Sequence, residues 1–167
     1  MTETTPNAAW TATYDPDPPT GTITAGSTVS VAIENNYTPT PVEVPLGVKK
    51  VMTGSDLPDN ASFTFNFAVT AADGTPMPDP ATASITVTKN STGDDLKAAF
   101  GSIEYTETGT FTYTVTETMA SAYPGVRIVE GTKTVTVKIK DNGGALAIDT
   151  ITGAESCPTL FNPVDCM

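Results

Sequence analysis

Two-residue alternation, with almost no helical period anywhere, is the feature that most limits what this chain can fold into. It is plainest in GTFTYTVTET, residues 109–118. There Phe111, Tyr113 and Val115 fall on one side of an extended chain, and Thr110, Thr112, Thr114 and Thr116 on the other. SFTFNFAVTAADG (62–74) puts Phe63, Phe65, Phe67 and Val69 on one face before a turn at Asp73-Gly74. VEVPLGVKKVM (42–52) sets Val44, Leu46 and Val48 against Glu43, Gly47 and Lys49. ATASITVTKN (81–90) and GSIEYTET (101–108) read as further strands, and GTKTVTVKIKDNGGALAIDTI (131–151) as a hairpin around DNGG. GTITAGSTVSVAIENNY (21–37) reads as a hairpin turning at Ala25-Gly26, and a last short strand runs through PTLFNPV (158–164). The best helix signal, STGDDLKAAFGSI (91–103), has Ser91 or Thr92 to cap it and Gly101 to stop it, enough for a short helix or turn. Eight or nine short strands with so little helix predict an all-β, Ig-like β-sandwich.

The Pro-rich stretch YTPTPVEVP (37–45) divides the chain unevenly. The expected organisation is a lead segment, 1–38, a linker, 39–44, and a sandwich body, 45–167. The lead carries two or three strands and one Trp, too little to bury a core of its own. IENNY (33–37) places an apolar residue, an Asn and an aromatic at alternate positions, and LFNPV (160–164) places Leu160, Asn162 and Val164 at the same spacing. The lead therefore reads as a β-hairpin remnant, the C-terminal strands of a preceding repeat whose beginning is missing.

Charge and composition exclude several functions. A net charge of −11 with 8 scattered Lys and Arg offers no surface for nucleic acid. The absence of His removes His-based triads and most zinc sites, so neither a metal nor a cofactor is expected. No apolar run is long enough to span a bilayer, and the first residues lack the pattern of a signal peptide. Cys157 and Cys166 fit no zinc spacing; a disulfide between them and two free thiols both stay open.

Three strands each put one polar residue into an apolar series. Glu117 follows Phe111, Tyr113 and Val115; Lys50 follows Leu46 and Val48, with Lys49 facing outward; Asn162 lies between Leu160 and Val164. Burying an ammonium or a carboxylate costs several kcal/mol unless a partner compensates. One reading has the lysine snorkelling, the glutamate in solvent and the asparagine in a turn. The other is covalent. A lysine desolvated in a dry pocket tends towards a neutral, nucleophilic amine, and the same setting keeps an acid protonated. Such an acid can polarise the Asn carboxamide and carry protons as the amine displaces ammonia. One amine, one carboxamide and one acid suffice.

Taken in order, VKKVMTGSDLPDNASFTFNF, GTFTYTVTE, KTVTVKIKDNGGALA and LFN resemble the streptococcal pilin isopeptide-linkage domain over about 45–164. The resemblance implies a Cna-B-type sandwich with Lys50 as donor, Glu117 as catalytic acid and Asn162 as acceptor, although Leu160 and Val164 stand where that family has aromatics. Asn35 would be the acceptor of the preceding repeat. It further implies a structural stalk module at the surface or cell wall of a Gram-positive bacterium, partnered by neighbouring domains or pilin subunits and open to a host ligand. Such a module turns over once, on itself, and is no enzyme. Two alternatives stand beside it. One is a noncovalent adhesin or carbohydrate-binding sandwich using loops such as DGTPMPDPA (73–81). The other is a hydrolase built on Glu104 and Glu107, for which the chain supplies no shaped cleft.

Overall fold

The computed structural model describes residues 4–15, 21–22, 24–54, 56–128 and 131–153. Nine strands run through them: β1 Trp10–Asp15, β2 Ala32–Tyr37, β3 Val42–Lys49, β4 Ser62–Ala71, β5 Thr82–Thr88, β6 Lys97–Tyr105, β7 Gly109–Met119, β8 Thr132–Asp141 and β9 Leu146–Thr152. A five-stranded sheet in the order β5-β4-β7-β8-β9 forms one layer, the antiparallel pair β3-β6 forms the other, and β1-β2 makes a separate ribbon. The architecture is the all-β sandwich that the alternation predicts.

Strands β3, β4, β5, β7 and β8 pack the side that their pattern marks as apolar. Phe63, Phe65, Phe67 and Val69 of β4, Ile85 and Val87 of β5, Tyr113 and Val115 of β7 and Val135, Val137 and Ile139 of β8 are buried. They belong to one core with Val44, Leu46 and Val48 of β3 and Phe100, Ile103 and Tyr105 of β6. Burying large apolar side chains stabilises by about 1.5–3 kcal/mol each, which makes this core the main support of the fold. The two buried tyrosines satisfy each other: Tyr113 donates to the Pro76 carbonyl at 2.9 Å, so Tyr105 donates to the Tyr113 oxygen at 3.0 Å. Burial pushes both hydroxyl pKa values up.

Strand β6 keeps its rings inside only by breaking its own period. Phe100 and Ile103 are three apart, yet both are buried. Pro45 pairs Ser102 while Gly47 pairs Ala99, so Phe100 and Gly101 together oppose Leu46 in a β-bulge. Gly101 is needed there, because a Cβ on it would lie 2.0 Å from the Asp79 carbonyl oxygen, and its N–H donates to the Pro80 carbonyl at 2.9 Å.

Two local expectations change and one holds in part. The 91–103 segment makes the short turn its signal allows, a 3-10 turn at Gly93–Leu96 after Thr92, but Gly101 then lies in β6 and stops no helix. The Thr92 N–H donates to the Asp95 carboxylate at 3.1 Å, closing the turn after one cycle. The chain does turn at Ala25-Gly26, but β2 pairs with β1, Trp10 opposite Tyr37, across a long connection, rather than with the residues just before the turn. Of the stretch 39–44, residues Val42 to Val44 lie in β3, and Val44 is fully buried against Ile103 on its paired strand. The DNGG hairpin forms as read: Asn142 N–H donates to the Ala145 carbonyl at 2.8 Å, with Gly143 and Gly144 at positive φ.

Candidate functional site

The polar intruders of β3 and β7 meet at one end of the sandwich. On β7 the buried series Tyr113, Val115 continues to Glu117, which stands opposite Phe67 of β4. Its N–H donates to the Gly131 carbonyl at 2.7 Å, so the backbone is held just where the carboxylate turns inward. Lys50 is the first residue after β3, and its N–H donates to the Leu96 carbonyl at 2.7 Å. That bond carries the two-residue period one step past the strand, so Lys50 keeps the core-facing parity of Leu46 and Val48 while Lys49 stays exposed.

Lys50 Nζ lies 2.7 Å from Glu117 Oε1, with only 14% and 11% of the two side chains exposed. It also lies 4.3 Å from the centroid of the Phe65 ring, which is wholly buried. Contact of a cation with a ring face in a desolvated setting is worth about 2 kcal/mol, so Phe65 helps to hold the ammonium in place. The pair touches as charges without aligning as a hydrogen bond. Glu117 Oε1 is buried and accepts no aligned hydrogen bond among the described residues. An oxygen in that position has lone-pair capacity for a third group.

Asn162, Cys157 and Cys166 lie outside the described residues. Asn35 is on β2, opposite Ala12 in the ribbon. Glu104 and Glu107 are both exposed, Glu104 across the β3-β6 pair from Glu43. The described residues contain no cluster of His, Cys, Asp and Glu able to hold a metal ion, and no helix among them is long and apolar enough to cross a membrane. What sequence reasoning missed is Phe65. Its parity marks it as core, but only the packing of the two layers puts its face under the lysine.

The family model FctA, the Spy0128-like isopeptide containing domain, matches residues 46–162, the larger part of the chain. No curated protein and no solved structure matches the chain significantly. The chain belongs to this family of pilin isopeptide-linkage domains and is a structural pilus module. The matched span includes Lys50 and Glu117 and ends on Asn162.

Proposed function

We propose, with that membership as the premise, that this module is a load-bearing segment of a pilus or adhesin shaft on a Gram-positive surface, closed by one amide between Lys50 and Asn162. It associates with other pilin subunits or neighbouring repeats. The observation that carries the reading is the Lys50–Glu117 pair at 2.7 Å beneath Phe65.

The chemistry balances without a cofactor. A proton passes from the Lys50 ammonium to the Glu117 carboxylate, leaving a neutral amine beside a neutral acid. The amine nitrogen attacks the Asn162 side-chain carbon while the acid hydrogen-bonds its oxygen. A proton then moves from the attacking nitrogen, by way of Glu117, to the amide nitrogen. The old C–N bond breaks, ammonia leaves and Glu117 ends as the neutral acid. Neither charge is left alone in an apolar interior once the link has formed.

Reach is no obstacle. Thr152 stands opposite Thr136, and Thr136 opposite Thr112, so β9 ends five positions short of Glu117 along the strands. At ~3.4 Å per residue that gap is about 17 Å. The ten residues from Gly153 to Asn162 can extend to about 33 Å. The bond would join the first strand of the body to its last segment, so a pulling force bypasses the hydrogen bonds of the sheet.

Intact-protein mass spectrometry tests the reading. The folded chain is expected to be lighter than its sequence by one ammonia, with tandem spectra placing the link at Lys50 and Asn162, and Lys50→Ala is expected to recover the full mass. A wild-type chain of full sequence mass, or a link at Lys49, would end it.

A further inference from the structure

Two residues of the lead segment, Asn7 and Tyr37, and Thr40 just after it meet a single turn of the body. Asn7, ahead of β1, donates from its Nδ2 to the Gly143 carbonyl at 3.1 Å, while its Oδ1 accepts from the Ala9 N–H at 2.9 Å. Tyr37, the last residue of β2, donates its hydroxyl to Asp141 Oδ2. Thr40 makes a parallel bridge to Ala145: its N–H donates to the Gly144 carbonyl at 2.9 Å, and its carbonyl accepts from the Leu146 N–H at 2.9 Å. The Thr38 N–H donates to the Ala9 carbonyl at 2.8 Å, tying the chain beside Asn7 to the chain beside Thr40.

The turn is shaped for this contact. Asp141 serves both sides, because its Oδ1 accepts the Gly144 N–H at 2.8 Å and fixes the turn while its Oδ2 takes the tyrosine. A Cβ on Gly144 would lie 3.0 Å from Asn7 Oδ1 and 3.2 Å from the Ala9 Cβ. The DNGG sequence is thus accounted for twice, once by its positive φ angles and once by the surface lying on it.

We propose that the β8-β9 turn is a docking socket for a β unit arriving from the N-terminal side, and that it fixes the β1-β2 ribbon in one orientation on the body. Small interfaces ordinarily leave neighbouring units free to move. Here the contacts come from two places far apart in sequence, Asn7 and the stretch 37–40, and one of them is a backbone bridge of two hydrogen bonds. Rotation about residues 38–41 therefore breaks at least one of them. The two units bend as one body, which stiffens the chain at the place where a shaft of repeats would otherwise hinge. This inference is independent of the covalent bond.

Trp10 is the single Trp of the chain and packs on Tyr37, with ring centroids 4.7 Å apart. It is a built-in probe of the ribbon. In the full chain, time-resolved anisotropy of Trp10 is expected to decay with the tumbling of the whole molecule. Asn7→Ala combined with Tyr37→Phe, which keeps the ring on Trp10, is expected to add a fast component. It should also speed amide exchange at Thr40 and Leu146 about tenfold, with the thermal unfolding of the body unchanged as a check on folding. A fast component already present in the wild type, or a double variant that behaves like the wild type, overturns the proposal.

Discussion

The body and the ribbon are made of the same kind of strand and differ in what lies over their apolar faces. In the body, Phe63, Phe65 and Phe67 face Leu46, Ile103 and Tyr105 from the opposite layer and lose nearly all contact with water. In the ribbon, Trp10, Ala12 and Tyr14 line up with Tyr37, Asn35 and Ile33 on one face, and no second layer of described residues covers it. Ile33 keeps 40% of its surface exposed. Two strands alone are marginal in water, so the ribbon takes its order from the turn it sits on, whereas the body takes its order from within. The polar contacts follow suit. Lys50 and Glu117 are shut in with an aromatic ring, where a charge must be paired or reacted away. The contact between the half-buried Tyr37 and the exposed Asp141 is open to solvent, where the same kind of contact positions and can be titrated.

The largest expected effect tests the interior side of this contrast. Glu117→Ala removes the proton carrier, so the Lys50–Asn162 link, which closes a loop of 112 residues (162 minus 50), should not form. By analogy with a disulfide over such a loop the loss is about 4–5 kcal/mol, on the order of 10–20 °C in Tm for a chain of this size. Differential scanning calorimetry on the variant and the wild type reads it. An unchanged Tm would mean that the interior pair is an ordinary ion pair and that body and ribbon differ less than described.

Gly101→Ala probes the body's tolerance for one added methyl. The new Cβ falls on the Asp79 backbone, 2.0 Å from its oxygen, so the β6 bulge must shift. A cost of about 1–3 kcal/mol is expected, measured as a lowered denaturant midpoint, with the variant still lighter than its own sequence by one ammonia. The same substitution at Gly26 of the lead meets no atom within 4 Å, and its cost should come from its positive φ alone.

Acid sharpens the ribbon side, with the smallest effect on stability. The Tyr37 hydroxyl, followed by the Gly144 N–H, holds the Asp141 carboxyl below its ordinary range, and the carboxylate in turn pushes the Tyr37 hydroxyl up. A depressed carboxyl contributes above its unfolded pKa of about 3.9 and ceases to as pH falls through the folded value. A raised tyrosine contributes below its unfolded pKa of about 10 and is lost as pH rises through the folded one. The joint should therefore hold between those limits and loosen on the acid side before the body unfolds. Trp10 fluorescence should change first and far-UV circular dichroism later. Simultaneous change in both signals would make ribbon and body a single cooperative unit.

Much of this was legible from the order of residues. Alternation located the body strands, because a side chain on an extended chain has only two directions to point and a buried face must be apolar along one of them. The same rule exposed Lys50 and Glu117 as breaks in parity, and DNGG announced its turn because few residues other than Gly accept positive φ. Asn162, Cys157 and Cys166 were nameable from spacing and resemblance, though they lie outside the described residues. Partnership was a different matter. Nothing local says that β2 pairs with β1 rather than with the residues before Ala25, that β6 needs a bulge against Leu46, or that Thr40 binds the far hairpin. Those depend on contacts between residues distant in sequence, whose energies no short window contains. The sequence by itself determined which side of β3, β4, β5, β7 and β8 is dry; the tertiary structure decided which dry sides meet, and so set an ammonium, a carboxylate and an aromatic ring within contact of one another.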